Sequence, residues 1–231
     1  KPLTLRVVLM ESGEPIVMNT DFSDHKIMAW LSPAYPLGSF SFSHGLEDAI
    51  SMGIVVGKES LLEWLFQILH FGSGRNDAIF LCSAYRSSEE ELLQLARIAE
   101  SFSGTKERHL ETVHQGTAFA KVTSNISNKL IPAVPLPLAI GYCAKVENIN
   151  LERLLPLYLH AFIANLVSAA IRFLPLGQTD GQMVLFGLFG DFEKVAKETR
   201  DLNVEHLGNS CFLNDISSMR HETMTTRIFR S

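Results

Sequence analysis

Three side chains early in the sequence are of the types that a serine hydrolase uses. Ser43 and His44 are adjacent, and Glu47 follows within one helical turn. A serine nucleophile needs a base within hydrogen-bond reach, but neighbouring residues on a helix point in different directions. The G-x-S-x-G pattern of the hydrolase elbow is also absent. We therefore predict no catalytic residue and keep a small helical hydrolase using Ser43, His44 and Glu47 as an alternative.

Histidines and cysteines are the candidate metal ligands. His109 and His114 do not share a helix face, as the histidines of an H-E-x-x-H motif do, and Cys211 and His221 are far apart in the C-terminal segment. The 3 cysteines include no C-x-x-C pair, which favours free thiols in a reducing compartment. We predict no metal site and, because the first residues lack a signal-peptide pattern, a cytoplasmic protein.

The charge of the chain is modest and dispersed. There are 20 basic and 25 acidic residues, for a formal net charge of -5 at pH 7, and neither sign forms a block. The basic footprint of a nucleic-acid-binding protein is therefore missing. No G-x-G-x-x-G or P-loop pattern appears either. We expect no nucleic-acid partner and no cofactor.

The C-terminal segment mixes arginines with apolar side chains. Its members are Ile216, Met219, Arg220, Met224, Arg227, Ile228, Phe229 and Arg230. A segment of this composition suits ordering on a protein partner. The alternative is that it packs on its own domain, and composition does not separate the two.

These candidates must be positioned by helices, and the stretch from Leu151 to Arg172 is the most apolar of them. Asn150 is a good N-cap, and a helix that is apolar on all sides is buried in the core. Pro156 predicts a kink or a late start. A membrane span is the alternative by length, but Pro156, His160 and the absence of a second comparable stretch argue against membrane insertion.

One side of this central helix carries a stripe of small residues at helical spacing. They are Ala161, Ala164, Asn165, Ser168 and Ala169. Small side chains allow another helix to approach, and the amide and hydroxyl groups then find partners across the contact. The stripe predicts an internal seam of the core, with a binding surface as the alternative.

Helical patterns recur along the rest of the chain, without a convincing strand-turn-strand signal. In the segment after Gly104 we predict that Leu110, Val113 and Ala120 face inward and that the charged start is solvated. A helix break is expected near Gly190. The sequence thus predicts an all-α fold, a single-domain helical bundle wrapped around the buried central helix. We divide it into an N-terminal extension (1–26), the helical domain (27–208) and a C-terminal partner-docking tail (209–231).

Four segments, in this order, resemble the urease accessory protein F family. They are SPAYPLGSFSFSHGLEDAI, TKERHLETVHQG, LVSAAIRFLPLGQTDGQ and RHETMTTRIFRS, and the likeness extends from about Ile27 to Ser231. The resemblance implies a non-enzymatic, all-α homodimer. It also implies a bridge between a urease-bound D-type (also called H-type) accessory protein and the nickel-carrying GTPase, the G protein. Together these proteins would deliver Ni²⁺ to the urease apoprotein, with GTP hydrolysis by the G protein gating transfer and possible modulation of that hydrolysis by this chain.

The resemblance also implies partner-binding residues. Those of the tail are Arg220, His221, Glu222, Arg227, Phe229 and Arg230, those of the first motif are His44, Gly45 and Glu47, and those of the turn after the central helix are Pro175, Gly177 and Gln178. Lys106 and Arg108 are expected to face the GTPase. A direct nickel metallochaperone that binds the ion through Cys211 and His221 remains a further alternative.

Overall fold

The computed structural model describes residues 22–230 and, before them, the backbone of two short strands, β1 (Val8–Leu9) and β2 (Ile16–Val17). The strands pair antiparallel, with Val8 opposite Val17. The remaining residues of the predicted extension up to residue 21 lie outside the described part. The boundary drawn after residue 26 falls inside the first helix.

The described residues after the strands are mainly helical, which confirms the predicted all-α class. The helices are α1 (Ser23–Leu31), α2 (Leu46–Ser51), α3 (Lys58–Phe71), α4 (Ser73–Arg86), α5 (Glu89–Phe102), α6 (Lys106–Ser127), α7 (Leu136–Val146), α8 (Leu151–Ala170), α9 (Gln178–Gly187), α10 (Phe189–Thr199) and α11 (Phe212–His221), with short 3₁₀ turns at Ser39–Ser41 and Val204–His206.

The predicted central helix is α8. The Asn150 side chain accepts a hydrogen bond from the Arg153 amide at 3.2 Å, as an N-cap should. The helix begins at Leu151 and runs through Pro156, so the late start is not observed. It packs against α2, α3, α4, α9 and α10. Among the described helices, it is the one long and apolar enough to cross a membrane. However, 56% of its most apolar 18-residue stretch is buried inside the protein, as in a core helix.

The small-residue stripe of α8 does not form the predicted internal seam. Ala161, Ala164 and Ser168 line an apolar groove of about 570 Å³ between α8, α1 and the loop that follows α1. The side-chain amide of Asn165 donates to the carbonyl oxygen of Ser39 at 3.0 Å, so the short 3₁₀ turn at Ser39–Ser41, rather than an α-helix, faces Asn165. The groove is open because no described helix covers it.

Helix α6 is held close to the segment before α7. A Cβ at Gly116 would overlap the carbonyl oxygen of Val134, so only glycine fits at this crossing. The contact fixes the long helix that carries Glu107, Arg108 and Glu111 at its first turns. The helices therefore hold these charged side chains in defined positions.

Helix α11 and the residues after it pack on the domain. Helix α11 contacts α2 and α6, and the Arg230 amide donates to the carbonyl oxygen of Ser41 at 2.7 Å. Phe229 is only 3% exposed and lies against the Phe173 ring and the Arg172 guanidinium. In this structure the tail therefore packs on its own domain, which was the second of the two alternatives for it.

Candidate functional site

The start of α2 is shaped to bring it against the tail. His44 and Gly45 have positive φ angles of 57° and 78°, which cost little for glycine and more for other residues. A Cβ at Gly45 would lie 2.8 Å from the Ser218 amide nitrogen, so the two backbones are nearly in contact. The Asn214 side chain donates to the carbonyl oxygen of His44 at 2.8 Å. Helix α2 is thus placed with its first turn, and Glu47, beneath α11.

His221, at the end of α11, is completely buried between two carboxylates. Its Nε2 lies 3.0 Å from a Glu47 oxygen, and its Nδ1 lies 2.9 Å from a Glu107 oxygen. Burial alone lowers the pKa of His221, but the hydrogen bonds and charges of Glu107 and Glu47 outweigh it, so the pKa is raised overall. The two carboxylates therefore favour the protonated form of the ring.

The two carboxylates also hold the residues that follow α11. Glu47 accepts hydrogen bonds from the backbone amides of Ile228 at 2.8 Å and Phe229 at 2.9 Å, and the Arg227 guanidinium donates to Glu107 at 3.1 Å. Two acidic and two basic side chains balance one another. We call this group, Glu47, Glu107, His221 and Arg227, the tail clamp.

A second buried network surrounds His44. Its Nδ1 lies 3.0 Å from a Glu111 oxygen, and its Nε2 lies 2.7 Å from the Ser73 hydroxyl. Arg108 also contacts Glu111, at 3.3 Å. Burial by itself raises the pKa of the Glu111 carboxyl, but the charges of Arg108 and His44 lower it to about 2 overall. Glu111 is therefore an ionised acceptor.

Arg108 is the hub of this network. It contacts both oxygens of Asp77 at 2.7 Å, and the Tyr158 hydroxyl donates to Asp77 at 2.9 Å. Burial raises the pKa of Tyr158, and the neighbouring Asp77 carboxylate adds to the effect. The guanidinium thus faces carboxylates within the protein, and its side chain is only 15% exposed.

The prediction for the inward face of α6 is wrong at its start. Glu107 and Glu111, predicted to be solvated, are buried, while Leu110, predicted to face inward, is half exposed. The reason is that both carboxylates have cationic partners from other elements, which offset the cost of burial. One feature of the sequence does indicate that the two carboxylates share an environment: Glu107 and Glu111 are four positions apart, which puts them on one helix face.

The tail residues implied by the resemblance divide into buried and exposed ones. His221 and Phe229 are buried, whereas Arg220, Arg227 and Arg230 are exposed and Glu222 is half-buried. The Glu222 carboxylate accepts the Lys106 amide at 3.1 Å. Partner contact by any of these residues stays a prediction.

The other predicted positions are spread over the surface and interior. His44, Gly45 and Glu47 are buried under α11, and Lys106 is exposed. The turn residues Pro175, Gly177 and Gln178 are exposed between α8 and α9. The turn adjoins the tail, because Phe173 at its start contacts Phe229.

The hydrolase alternative does not fit this geometry. Glu47 serves the tail clamp, and His44 contacts Glu111 and Ser73 instead. The chain Ser73, His44, Glu111 has the order of a catalytic triad, but the adjoining cavity has a volume of only about 50 Å³. Ligand pockets measure roughly 300–1,000 Å³. The cavity beside this chain of side chains is thus smaller than a typical ligand pocket.

The direct-metallochaperone alternative does not fit either. Cys211 and His221 stand at opposite ends of α11, roughly 15 Å apart at the rise of an α-helix. The Cys211 thiol donates to the carbonyl oxygen of Gln67 at 3.0 Å, and burial raises its pKa to about 11. A protonated thiol is a poor ligand, so this pair does not chelate one ion in the observed arrangement.

Comparison with known proteins identifies the family. The UreF family model matches residues 55–189. The urease accessory protein UreF of Cereibacter sphaeroides strain ATCC 17025 is 43% identical over 205 residues, covering 89% of this chain and 97% of the relative. Its counterpart from Roseobacter denitrificans is 39% identical over 216 residues, covering 94% and 97%. That from Rhodopseudomonas palustris strain BisB5 is 38% identical over an alignment of 241 residues, covering 99% of each. The chain therefore belongs to the UreF family of urease accessory proteins, as its motifs predicted, and its role is in urease maturation.

Proposed function

We propose that this chain is a non-catalytic scaffold of urease maturation in the cytoplasm. It bridges a D/H-type accessory protein and the nickel-carrying GTPase, so that Ni²⁺ is inserted into the urease apoprotein. The chain itself holds no cofactor and turns over no substrate in this proposal. Its family membership supports the maturation role, and the small volume beside His44 supports the absence of catalysis.

The observation that carries the proposal is the outer face of α11. Phe212, Leu213, Ile216 and Met219 are between 49% and 69% exposed, and their spacing puts them on one side of the helix. An exposed apolar face with arginines beside it has the composition of a protein interface. The clamp holds α11 from the other side, so His221 and Phe229 act as positioning residues. We assign this face to the D/H-type partner.

Point substitutions test this assignment better than deletion of the tail. Deletion would leave Glu47 and Glu107 buried without His221, which destabilises the domain whatever the partner does. Ile216→Asp changes only the exposed face. Ile126→Asp is a matched control, because Ile126 is 70% exposed near the far end of α6.

The measurement is co-purification of each variant with a tagged D/H-type protein. We expect Ile216→Asp to reduce capture at least tenfold, which corresponds to about 1.4 kcal/mol of binding free energy, and Ile126→Asp to be captured like the parent. Both variants should keep the parent's helical circular dichroism. Equal capture of Ile216→Asp and the parent would reject α11 as the docking surface.

The homodimer has a candidate interface in the α8 groove. Its small-residue stripe permits a closely packed helix, and no described helix of the same chain occupies it. Apolar side chains such as Leu157 and Met28 stand exposed at its edge, at 43% and 72%. We propose that a second copy of the chain covers this groove.

The GTPase contact is proposed on the exposed surface beside the tail. Lys106 begins α6 and is exposed, whereas Arg108 is committed to Asp77 and Glu111. The turn of Pro175, Gly177 and Gln178 offers a second exposed segment. We therefore place the positive charge available to the GTPase on Lys106 rather than Arg108.

A further inference from the structure

The tail clamp fixes the protonation state of His221. Ionised carboxylates only accept hydrogen bonds, and each ring nitrogen of His221 lies within 3.0 Å of a carboxylate oxygen. Both nitrogens must therefore donate, which requires the doubly protonated imidazolium. A neutral ring would turn a lone pair toward one of the two carboxylates.

The charges around His221 balance only while the ring is protonated. Glu47 comes from α2 and Glu107 from α6, and Arg227 of the tail binds Glu107. Two further ionic groups of this region are engaged elsewhere. The Arg220 Nε lies 3.6 Å from Asp48, and Glu222 accepts the Lys106 amide. Loss of the ring proton leaves an uncompensated buried negative charge, which is costly.

We propose that His221 is a proton-dependent latch. Its imidazolium, clamped between Glu47 and Glu107, keeps residues 222–230 on the domain, and loss of that proton releases them. Release would free the amides of Ile228 and Phe229 from Glu47 and expose the Phe229 ring. The latch is a property of the chain alone, whatever partner the tail binds.

The direction of the pH effect follows from linkage. The pKa of His221 is raised in the folded protein, so its contribution to tail docking is fully present below the ordinary histidine value of about 6.5. That contribution is lost as the pH rises through the folded pKa. Release therefore occurs on the alkaline side.

Hydrogen exchange of the full chain tests the latch. Protection of the amides of residues 222–230 is measured by millisecond quench mass spectrometry from pH 6 to pH 9.5 and corrected for the intrinsic pH dependence of exchange. We expect protection to fall by up to about tenfold per pH unit above pH 6.5 and to level off above the folded pKa. Protection of α8 should stay constant. The His221 ring resonances should titrate with a midpoint at the pH where the fall in protection levels off.

Two conservative variants separate the latch from a structural role. Glu107→Gln removes one of the two carboxylates that raise the folded pKa of His221, so the fall in protection should level off at a lower pH and be smaller in total. His206→Gln, at an exposed histidine outside the clamp, should leave the profile unchanged. The latch is refuted if tail protection does not change with pH, if α8 loses protection in parallel, or if Glu107→Gln lowers protection equally at every pH.

Discussion

Glu47 receives three hydrogen bonds from the tail, from the His221 ring and the amides of Ile228 and Phe229. Ser43, two positions before Gly45, has a different task, because its hydroxyl accepts the Glu47 amide at 3.3 Å. Residues that suggested catalysis in the sequence thus serve to position the tail.

Glu111 gives the clearest stability prediction at the residue scale. Its folded pKa of about 2 is depressed, so its contribution is present above the unfolded value of about 4.3 and lost as the pH falls toward 2. Glu111→Gln should lower the free energy of unfolding by about 3 kcal/mol at pH 7, the low end for breaking a buried ion pair. The loss is at the low end because Arg108 still has its ion pair with Asp77.

Urea unfolding followed by circular dichroism at pH 7 and pH 3.5 measures this effect. The difference between Glu111→Gln and the parent should shrink at the lower pH. Glu193→Gln, at an exposed position of α10, should stay within about 0.5 kcal/mol of the parent. An equally large difference at both pH values would contradict the role of the Glu111 charge.

At the scale of elements, local rules predicted much of the fold and non-local contacts produced the exceptions. The start of α5 follows a local rule: Ser88 and Glu91 have the three-residue spacing of a capping box, and each side chain accepts the other's backbone amide. The break expected near Gly190 occurs at Leu188, between α9 and α10.

The clamp could not be predicted from the sequence. Its carboxylates are separated from His221 by 174 and 114 positions. No local pattern reports which distant cation will compensate a buried carboxylate. An exposed binding surface on α8 was only the alternative prediction for a similar reason, because a stripe of small residues looks the same whether its partner is another helix of the chain or a second copy.

The α8 groove carries the prediction at the element scale. Ala164→Glu puts a charge into the groove and should convert a dimer into a monomer at micromolar concentration, as measured by size-exclusion chromatography with light scattering. Ala133→Glu makes the same change at an exposed loop position and should leave the mass unchanged. A dimeric Ala164→Glu protein would reject the groove as the interface.

At the scale of the whole molecule, the exposed features cluster on the side where the tail lies. The α11 face, Lys106 and the turn after α8 all adjoin the tail or the helices that hold it. An arrangement of this kind suits a scaffold that presents two surfaces to two proteins. One of these relatives aligns over 99% of this chain, so that alignment covers the tail as well as the helical core.

Retention of the GTPase on a tagged D/H-type protein is the most direct test of bridging. With the full chain present, both partners should be recovered together, and without it the GTPase should be lost. Lys106→Glu should reduce GTPase recovery while leaving the D/H contact intact, and Lys121→Glu, exposed further along α6, should not. Recovery of the GTPase in equal amounts with and without this chain would contradict the scaffold account.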